Sequence, residues 1–246
     1  MANENGTWIM YGVDENDPYC IHTVEQLIDY IEEIGFLPLF KNEIPGFSVE
    51  ERTVPHDWWS DDPGRDPWIW RELIACSGQI AYGKFFNRKA GFISRKWLPY
   101  FVNSRRDGYD FDALWDDEKA SNRQKKIMDL FIDGGEFYSF EVKQNVGFGK
   151  GGEKNFEGVI TDLQMQLYLC LRDFRQRRNK SGQEYGWPIA VYTTPEQIWG
   201  YDFVTSAYSE EPAVSAGRIC QHIREQYPVA GEKEIRKVLG VKTSLK

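Results

Sequence analysis

Apolar residues in the first part of the chain recur with the period of a helix, and turn residues separate these stretches. Residues 23–34 carry apolar side chains every three or four positions, which predicts an amphipathic helix with Thr23 at its start and Gly35 at its end. Asp66-Pro67 predicts the start of a second helix, because proline is favoured at the first helical position. Two extended stretches within residues 79–94 flank a polar tip and predict a β-hairpin.

The same order recurs in the second half of the chain. Helices are predicted over residues 121–132 and 155–164, with a short helix or extended turn at residues 137–146 between them. Two apolar runs within residues 167–193 flank the turn signal Lys180-Ser181-Gly182. Three helices followed by a basic hairpin is the order of a winged helix, whose third helix enters the major groove of DNA.

The predicted fold class is therefore α+β, with about two winged-helix modules and an acidic N-terminal segment. Residues 1–65 are expected to form an acidic segment that packs on the first unit, and residues 66–118 a first helix–hairpin unit. Residues 119–205 are expected to form a winged-helix unit that carries the glutamine pair, and residues 206–246 the C-terminal helices. The polar stretch 105–119 is expected to be irregular and to separate the two halves. Pro99 is expected to bend or interrupt a short helix over residues 94–103.

The composition limits the class of protein further. Of the 246 residues, 41% are hydrophobic, which is ample for a core, and no apolar run approaches the length of a membrane span. The chain opens without a secretory signal, and its four cysteines and three histidines are scattered without the spacing of a metal site. We therefore expect a cytoplasmic protein with reduced thiols, no metal and no membrane partner.

The charge is segregated along the chain. The net charge of −8 argues against a general nucleic-acid binder, and residues 1–66 hold fifteen acids and three bases. Between Leu73 and Arg106, however, there are seven bases and no acid. Such a local basic face can bind phosphates, because salt confines each field to about 10 Å. Charge alone favours the alternative, in which these bases neutralise an acidic neighbour.

Candidate chemistry lies at the end of the predicted third helix, in Asp162-Leu163-Gln164-Met165-Gln166. Two amides that face one space can hold a water molecule through donated and accepted hydrogen bonds. If the segment is extended, Asp162, Gln164 and Gln166 share one face, and if it is helical, Asp162 and Gln166 are neighbours. The alternative is structural: the amides would bond to the backbone, and Asp162 would cap a nearby turn.

The motif Leu163-Gln164-Met165-Gln166, the basic hairpin, and then Thr193-Thr194-Pro195-Glu196 with Trp199 resemble the bacterial AlkZ-type winged-helix DNA glycosylases. The resemblance covers roughly residues 120–200, and more weakly residues 66–103. It implies a monofunctional enzyme that removes N-alkylated purines from double-stranded DNA without a cofactor, with Gln164 and Gln166 holding the water. Asp162 is a candidate electrostatic stabiliser or base from its spacing alone. The family is longer and has its motif near the N-terminus, so the chain resembles a shorter, distinct branch.

Candidate DNA contacts are basic residues at the hairpin tips and in the glycine-rich loop before the third helix. They are Arg175, Arg177, Arg178 and Lys180 in the second hairpin, Arg88 and Lys89 in the first, and Lys150 and Lys154 around the loop. Solvated tips and a mobile connector are the structural alternatives. Two other functions stay open: a non-enzymatic winged-helix regulator or protein-interaction module, and an enzyme acting on a nucleoside or other glycoside through paired carboxylates.

Overall fold

The computed structural model describes residues 2–4 and 7–240, with side chains from Met10 to Gly240. The chain divides into two compact units, the first formed by Met1–Leu98 with Ala216–Lys246 and the second by Pro99–Ser215. Both units combine helices with antiparallel strands, so the mixed helix-and-sheet class is confirmed. The division into four segments stays a prediction.

The described part of the chain contains eight strands and eleven α-helices, besides four short 3₁₀ helices. In order they are β1 (Ala2–Glu4), β2 (Thr7–Ile9), α1 (Val24–Ile34), β3 (Phe36–Pro38), α2 (Pro67–Ser77), β4 (Ile80–Phe86), β5 (Lys89–Ser94), α3 (Leu98–Arg106), α4 (Phe111–Asp116), α5 (Asn122–Met128), β6 (Phe137–Tyr138), α6 (Ser139–Asn145), α7 (Phe156–Met165), β7 (Cys170–Arg178), β8 (Glu184–Thr193), α8 (Pro195–Trp199), α9 (Tyr201–Val204), α10 (Pro212–Gln226) and α11 (Glu232–Leu239). No helix in residues 2–4 and 7–240 combines the length and the apolar character needed to cross a membrane.

Local sequence signals set the helix ends of the first unit. The Thr23 side chain accepts a hydrogen bond from the Gln26 N–H at 3.3 Å, and Gly35 ends α1 with a φ of 89°. The Asp66 side chain accepts from the Trp68 N–H at 2.8 Å and so begins α2. These are the caps that the residue types predict. In the β4–β5 turn, Asn87 and Arg88 both have a positive φ, as a tight hairpin turn requires.

The three strands β3, β4 and β5 of the first unit do not follow sequence order. Strand β5 lies in the middle, because Ile93 is paired with Phe36 of β3 on one side and with Ala81 of β4 on the other. The side chains around this sheet are fully buried, among them Leu27, Ile31, Phe36, Phe85 and Phe92. The sheet face and α1 therefore form an apolar core.

The second unit repeats this arrangement. Strand β8 lies between β6 and β7, because Tyr192 is paired with Phe137 on one side and with Leu171 on the other. Helices α5, α6 and α7 precede the β7–β8 hairpin, and α5 begins with a capping box formed by Ser121 and Gln124. The predicted order of three helices and a hairpin is therefore present, with β6 inserted between the first two helices.

Two expectations about residues 94–119 are wrong. The stretch 105–119 is not irregular, because α3 continues to Arg106 and α4 follows, with Phe111 and Leu114 buried at helical spacing. Pro99 does not interrupt a helix, because it is the second residue of α3. In the first turn of a helix the missing N–H of proline breaks no intrahelical hydrogen bond.

Candidate functional site

The two glutamines of the motif lie on different sides of a helix. Residues 162–165 belong to α7, so the helical alternative applies, and the Gln166 N–H donates to the Asp162 carbonyl at 2.9 Å. Gln164 is fully buried, and its Nε2 donates to the carbonyl of Ile160 at 3.2 Å. Gln166 is only half-buried. The structure therefore places Asp162 near Gln166 and does not bring the two amides to one space.

A third glutamine, which the sequence reasoning missed, orients Gln166. Gln124 of α5 donates from Nε2 to Gln166 Oε1 at 2.9 Å. The Gln124 oxygen accepts from both the N–H and the hydroxyl of Ser121, at 2.9 and 3.0 Å, which assigns its nitrogen as the donor toward Gln166. Within residues 10–240 no group is bonded to the amide NH₂ of Gln166. The signal for Gln124 was the Ser-x-x-Gln capping box at residue 121.

The end of α7 holds strained backbone beside Gln166. Leu167 has a φ of 60°, which is uncommon for a residue other than glycine. The Leu167 N–H donates to the Gln164 carbonyl at 2.9 Å and the Tyr168 N–H to the Leu163 carbonyl at 3.0 Å, which is the Schellman pattern of a helix end. Leucine occupies the position that glycine favours, and its side chain is fully buried. Burial of this side chain therefore offsets the strain.

Two adjacent arginines bind the carbonyl groups on either side of Gln166. Arg105 Nη1 donates to the Met165 carbonyl at 2.8 Å, and Arg106 Nη2 donates to the Leu167 carbonyl at 2.6 Å. The last carbonyls of a helix lack intrahelical partners and carry partial negative charge, so cations stabilise them. Burial lowers the pKa of Arg105 to about 10. Both side chains therefore hold the backbone of Gln166 in place from α3.

Arg106 also links this helix end to the Thr-Thr-Pro-Glu segment of the motif. Its Nη1 lies 2.5 Å from Glu196 Oε1, and its guanidinium lies 4.6 Å from the centre of the Tyr168 ring. Thr194 caps α8 by accepting from the Gln197 N–H at 3.2 Å, which positions Glu196 in the first turn. Arg106 therefore bridges the end of α7 and the Thr-Thr-Pro-Glu segment, through a hydrogen bond to one and an ion pair to the other.

The predicted DNA contacts of the second hairpin are partly engaged within the protein. Arg175 pairs with Glu136 and Asp173, and Arg178 pairs with Glu184 at 2.9 Å. The Arg177 guanidinium lies 4.7 Å from the centre of the Phe140 ring, and Lys180 is exposed in the turn. Beyond Arg177 the hairpin is exposed, including Trp187, at 89%, and Tyr185, at 50%. From the sequence, Trp187 is predicted only as the start of an apolar strand.

The other basic residues that are predicted to contact DNA lie outside the second hairpin. Arg88 and Lys89 are exposed at the turn of the first hairpin, in the first unit. Lys150 and Lys154 are exposed around the glycine-rich loop, whose Glu153 carboxylate pairs with Arg123 at 2.9 Å and Lys126 at 2.8 Å. Those pairs bind the loop to α5. In the described part of the chain, no three histidine, cysteine or acidic side chains are grouped as metal ligands.

The second unit is thus a helix–hairpin unit with a buried arginine network and a half-exposed amide at the end of its third helix. The family model described as AlkZ related matches residues 21–240. The chain therefore belongs to the AlkZ-related family, and the match extends well beyond the segments that carry the resemblance in sequence. No curated protein matches the chain, and no solved structure matches it.

Proposed function

We propose that residues 121–193 form a winged-helix module that binds double-stranded DNA, with α7 as its recognition helix and the β7–β8 hairpin as its wing. The observation that carries this proposal is the order of the strands. Strand β8 lies between β6 and β7 behind three helices, which is the arrangement of a winged helix. Membership of the AlkZ-related family supports the same function.

The composition of the hairpin supports a DNA contact. Residues 170–193 hold five bases and two acids, whereas the whole second unit holds fourteen bases and nineteen acids. Positive charge is therefore concentrated on the wing, where it can neutralise phosphates. The exposed Trp187 and Tyr185 offer ring faces on which nucleic-acid bases can stack.

We further propose that the module hydrolyses the N-glycosidic bond of alkylated purines and that Gln166 is the amide used. An N7- or N3-alkylated purine is cationic, so it leaves with the bonding electrons without a strong acid. The attacking water forms the new bond to C1′ and must lose a proton. The unbonded NH₂ of Gln166 can donate to that water, and Asp162, one turn earlier, is an acceptor for the proton.

A non-enzymatic DNA-binding regulator is the second candidate, and the placement of Gln164 favours it. That amide is buried and bonded to the backbone, so it cannot reach a nucleotide without a change in α7. The two candidates share the DNA-binding surface and differ only in whether a base is released.

The test measures release of modified base from a duplex that contains N7-methylguanine, together with binding of the duplex. The variants are Gln166→Ala and, as a matched control, Gln221→Ala, an exposed amide in the first unit. Release that Gln166→Ala loses and Gln221→Ala keeps would support the enzyme. Binding without release by the unmodified protein would favour the regulator. Absence of binding would refute both candidates.

A further inference from the structure

The first unit contains a cavity of about 760 Å³ that the proposed DNA contact does not use. Helix α1 contributes Tyr30, Asp29 and Glu33, and the segment before it contributes Tyr19, which is 72% exposed. Arg52 and Tyr227 also line the cavity. The volume is typical of a small-molecule site, and the wall combines aromatic rings, carboxylates and one guanidinium.

Among the residues that the structure describes, the guanidinium of Arg52 forms no hydrogen bond. It lies 4.6 Å from the centre of the Tyr30 ring, and its buried Nε has no hydrogen bond. Within the described residues its side chain forms no ion pair, although acidic residues line the same cavity. The adjacent Glu51 is already engaged, since its carboxylate accepts from the Ser48 hydroxyl at 2.7 Å and from the Gly46 N–H at 3.2 Å. The terminal nitrogens of Arg52, which lines the cavity, can therefore donate to a ligand.

Tyrosine rings and carboxylates line the cavity beside Arg52. The hydroxyls of Tyr30 and Tyr227 lie 3.2 Å apart, which holds the ring beneath Arg52 in place. Burial, with the bond to Tyr227, raises the pKa of Tyr30, so its hydroxyl is neutral. Asp29 and Glu33 lie one turn apart on α1, are exposed, and accept no hydrogen bond from a described residue. Their carboxylates are available to a ligand that donates hydrogen bonds.

We propose that this cavity binds the guanine base of a nucleoside or nucleic acid. Guanine presents two acceptors, O6 and N7, on one edge, and a planar guanidinium donates to both in parallel. Its N1–H and N2–H₂ groups can donate hydrogen bonds to the carboxylates of Asp29 and Glu33. Adenine carries a donor at position 6, which would face the donors of Arg52. The exposed Tyr19 ring supplies stacking surface.

This proposal is independent of DNA binding by the β7–β8 hairpin. The test titrates the full chain with guanosine, adenosine and 7-methylguanosine by calorimetry, and with a short single-stranded oligonucleotide that contains one guanine. We expect guanosine to bind at least tenfold more tightly than adenosine. Methylation at N7 removes one acceptor, so 7-methylguanosine is expected to bind more weakly than guanosine. Comparison of guanosine with the oligonucleotide shows whether the base is recognised free or within a strand.

Two variants connect the binding to the cavity. Arg52→Lys keeps the charge and loses the planar pair of donors, so guanosine affinity is expected to fall at least tenfold. The matched control is Arg224→Lys, which changes an exposed arginine paired with Glu232 and is expected to bind guanosine normally. If Arg52→Lys fails to fold, Asp29→Asn/Glu33→Gln on the surface of α1 provides the same test. Absence of guanosine binding, equal affinity for adenosine, or unchanged affinity in the cavity variant would overturn the proposal.

Discussion

At the scale of single residues, the two glutamines of the motif differ in burial, and their effects on stability should differ accordingly. Gln164→Ala removes a fully buried side chain with a hydrogen bond, so we expect it to lower the free energy of unfolding by about 2 kcal/mol. Gln166→Ala changes a half-buried residue at the helix end and should cost about 0.5 kcal/mol. Urea unfolding of both variants measures the difference, and equal losses would contradict the assigned placement.

Leu167 allows a sharper test, because strain and burial oppose each other there. Leu167→Ala loses the buried side chain, at a cost of about 2–5 kcal/mol, and keeps a positive φ. Leu167→Gly loses the same side chain but removes about 1 kcal/mol of backbone strain. We therefore expect the glycine variant to be the more stable of the two by urea unfolding. The usual order, with alanine more stable than glycine, would show that Leu167 is not in the left-handed conformation.

Glu153 connects the glycine-rich loop to α5 in a way that depends on pH. Hydrogen bonds from Lys126 and Arg123 hold its pKa below the ordinary value of 4.5. Its stabilising effect is therefore complete above pH 4.5 and is lost as the pH falls through the lowered pKa in the folded protein. The protection of residues 147–153 against hydrogen exchange, taken relative to the intrinsic rate at each pH, should fall over that range. Glu153→Gln should show the low protection at every pH, and protection that still changes with pH in that variant would contradict the assignment.

At the scale of elements, Arg106 joins α3, the end of α7 and the start of α8. Arg106→Leu would leave Glu196 and the Leu167 carbonyl without their partner in a mostly buried position. Removal of one member of a buried ion pair costs about 3–5 kcal/mol, and we expect a loss at the lower end because Glu196 is partly exposed. The midpoint of urea unfolding measures it. A loss below 1 kcal/mol would show that the network is not structurally important.

Helix ends could be predicted from the sequence, whereas the partners of the candidate site could not. Thr23, Gly35 and Asp66 act through neighbours within three or four residues, so the residue types suffice. The pairing of Gln124 with Gln166 and the contact of Arg105 with Met165 cross 42 and 60 residues. Such contacts depend on how helices pack, which periodicity does not specify. The motif could therefore be found from the sequence, but the sequence does not show which of its two amides is accessible.

At the scale of the whole molecule, the net charges of the two structural units differ from the net charges of the sequence segments. Residues 67–246 have a net charge of +4, yet the second unit alone has fourteen bases and nineteen acids. The first unit holds the remaining sixteen bases and nineteen acids, so neither unit is basic. Positive charge is instead local to the hairpins, since residues 80–94 hold three bases and no acid, and residues 170–193 hold five bases and two acids. The two hairpins also share one strand order.

Because both hairpins are basic and share one strand order, the salt dependence of DNA binding can show which of them contacts DNA. Each phosphate contact that is lost should reduce the slope of log affinity against log salt concentration by about 0.9. Arg178→Gln/Lys180→Gln removes two exposed bases from the second hairpin, and Arg88→Gln/Lys89→Gln removes two from the first. We expect the second-hairpin pair to reduce the slope by about 2, and the first-hairpin pair to do the same if both hairpins contact DNA. Titrations of one duplex at several salt concentrations give the slopes.

A matched control separates contact from general charge in this experiment. Arg224→Gln/Lys233→Gln, on α10 and at the start of α11, makes the same change in net charge outside both hairpins and should leave the slope unchanged if only the hairpins contact phosphates. An equal effect of all three pairs would mean that DNA senses only the net charge of −8, and the wing would lose its proposed role. A reduced slope in the second-hairpin pair alone would assign DNA binding to the unit that carries Gln166. That result would place the candidate amide in the module that contacts the substrate.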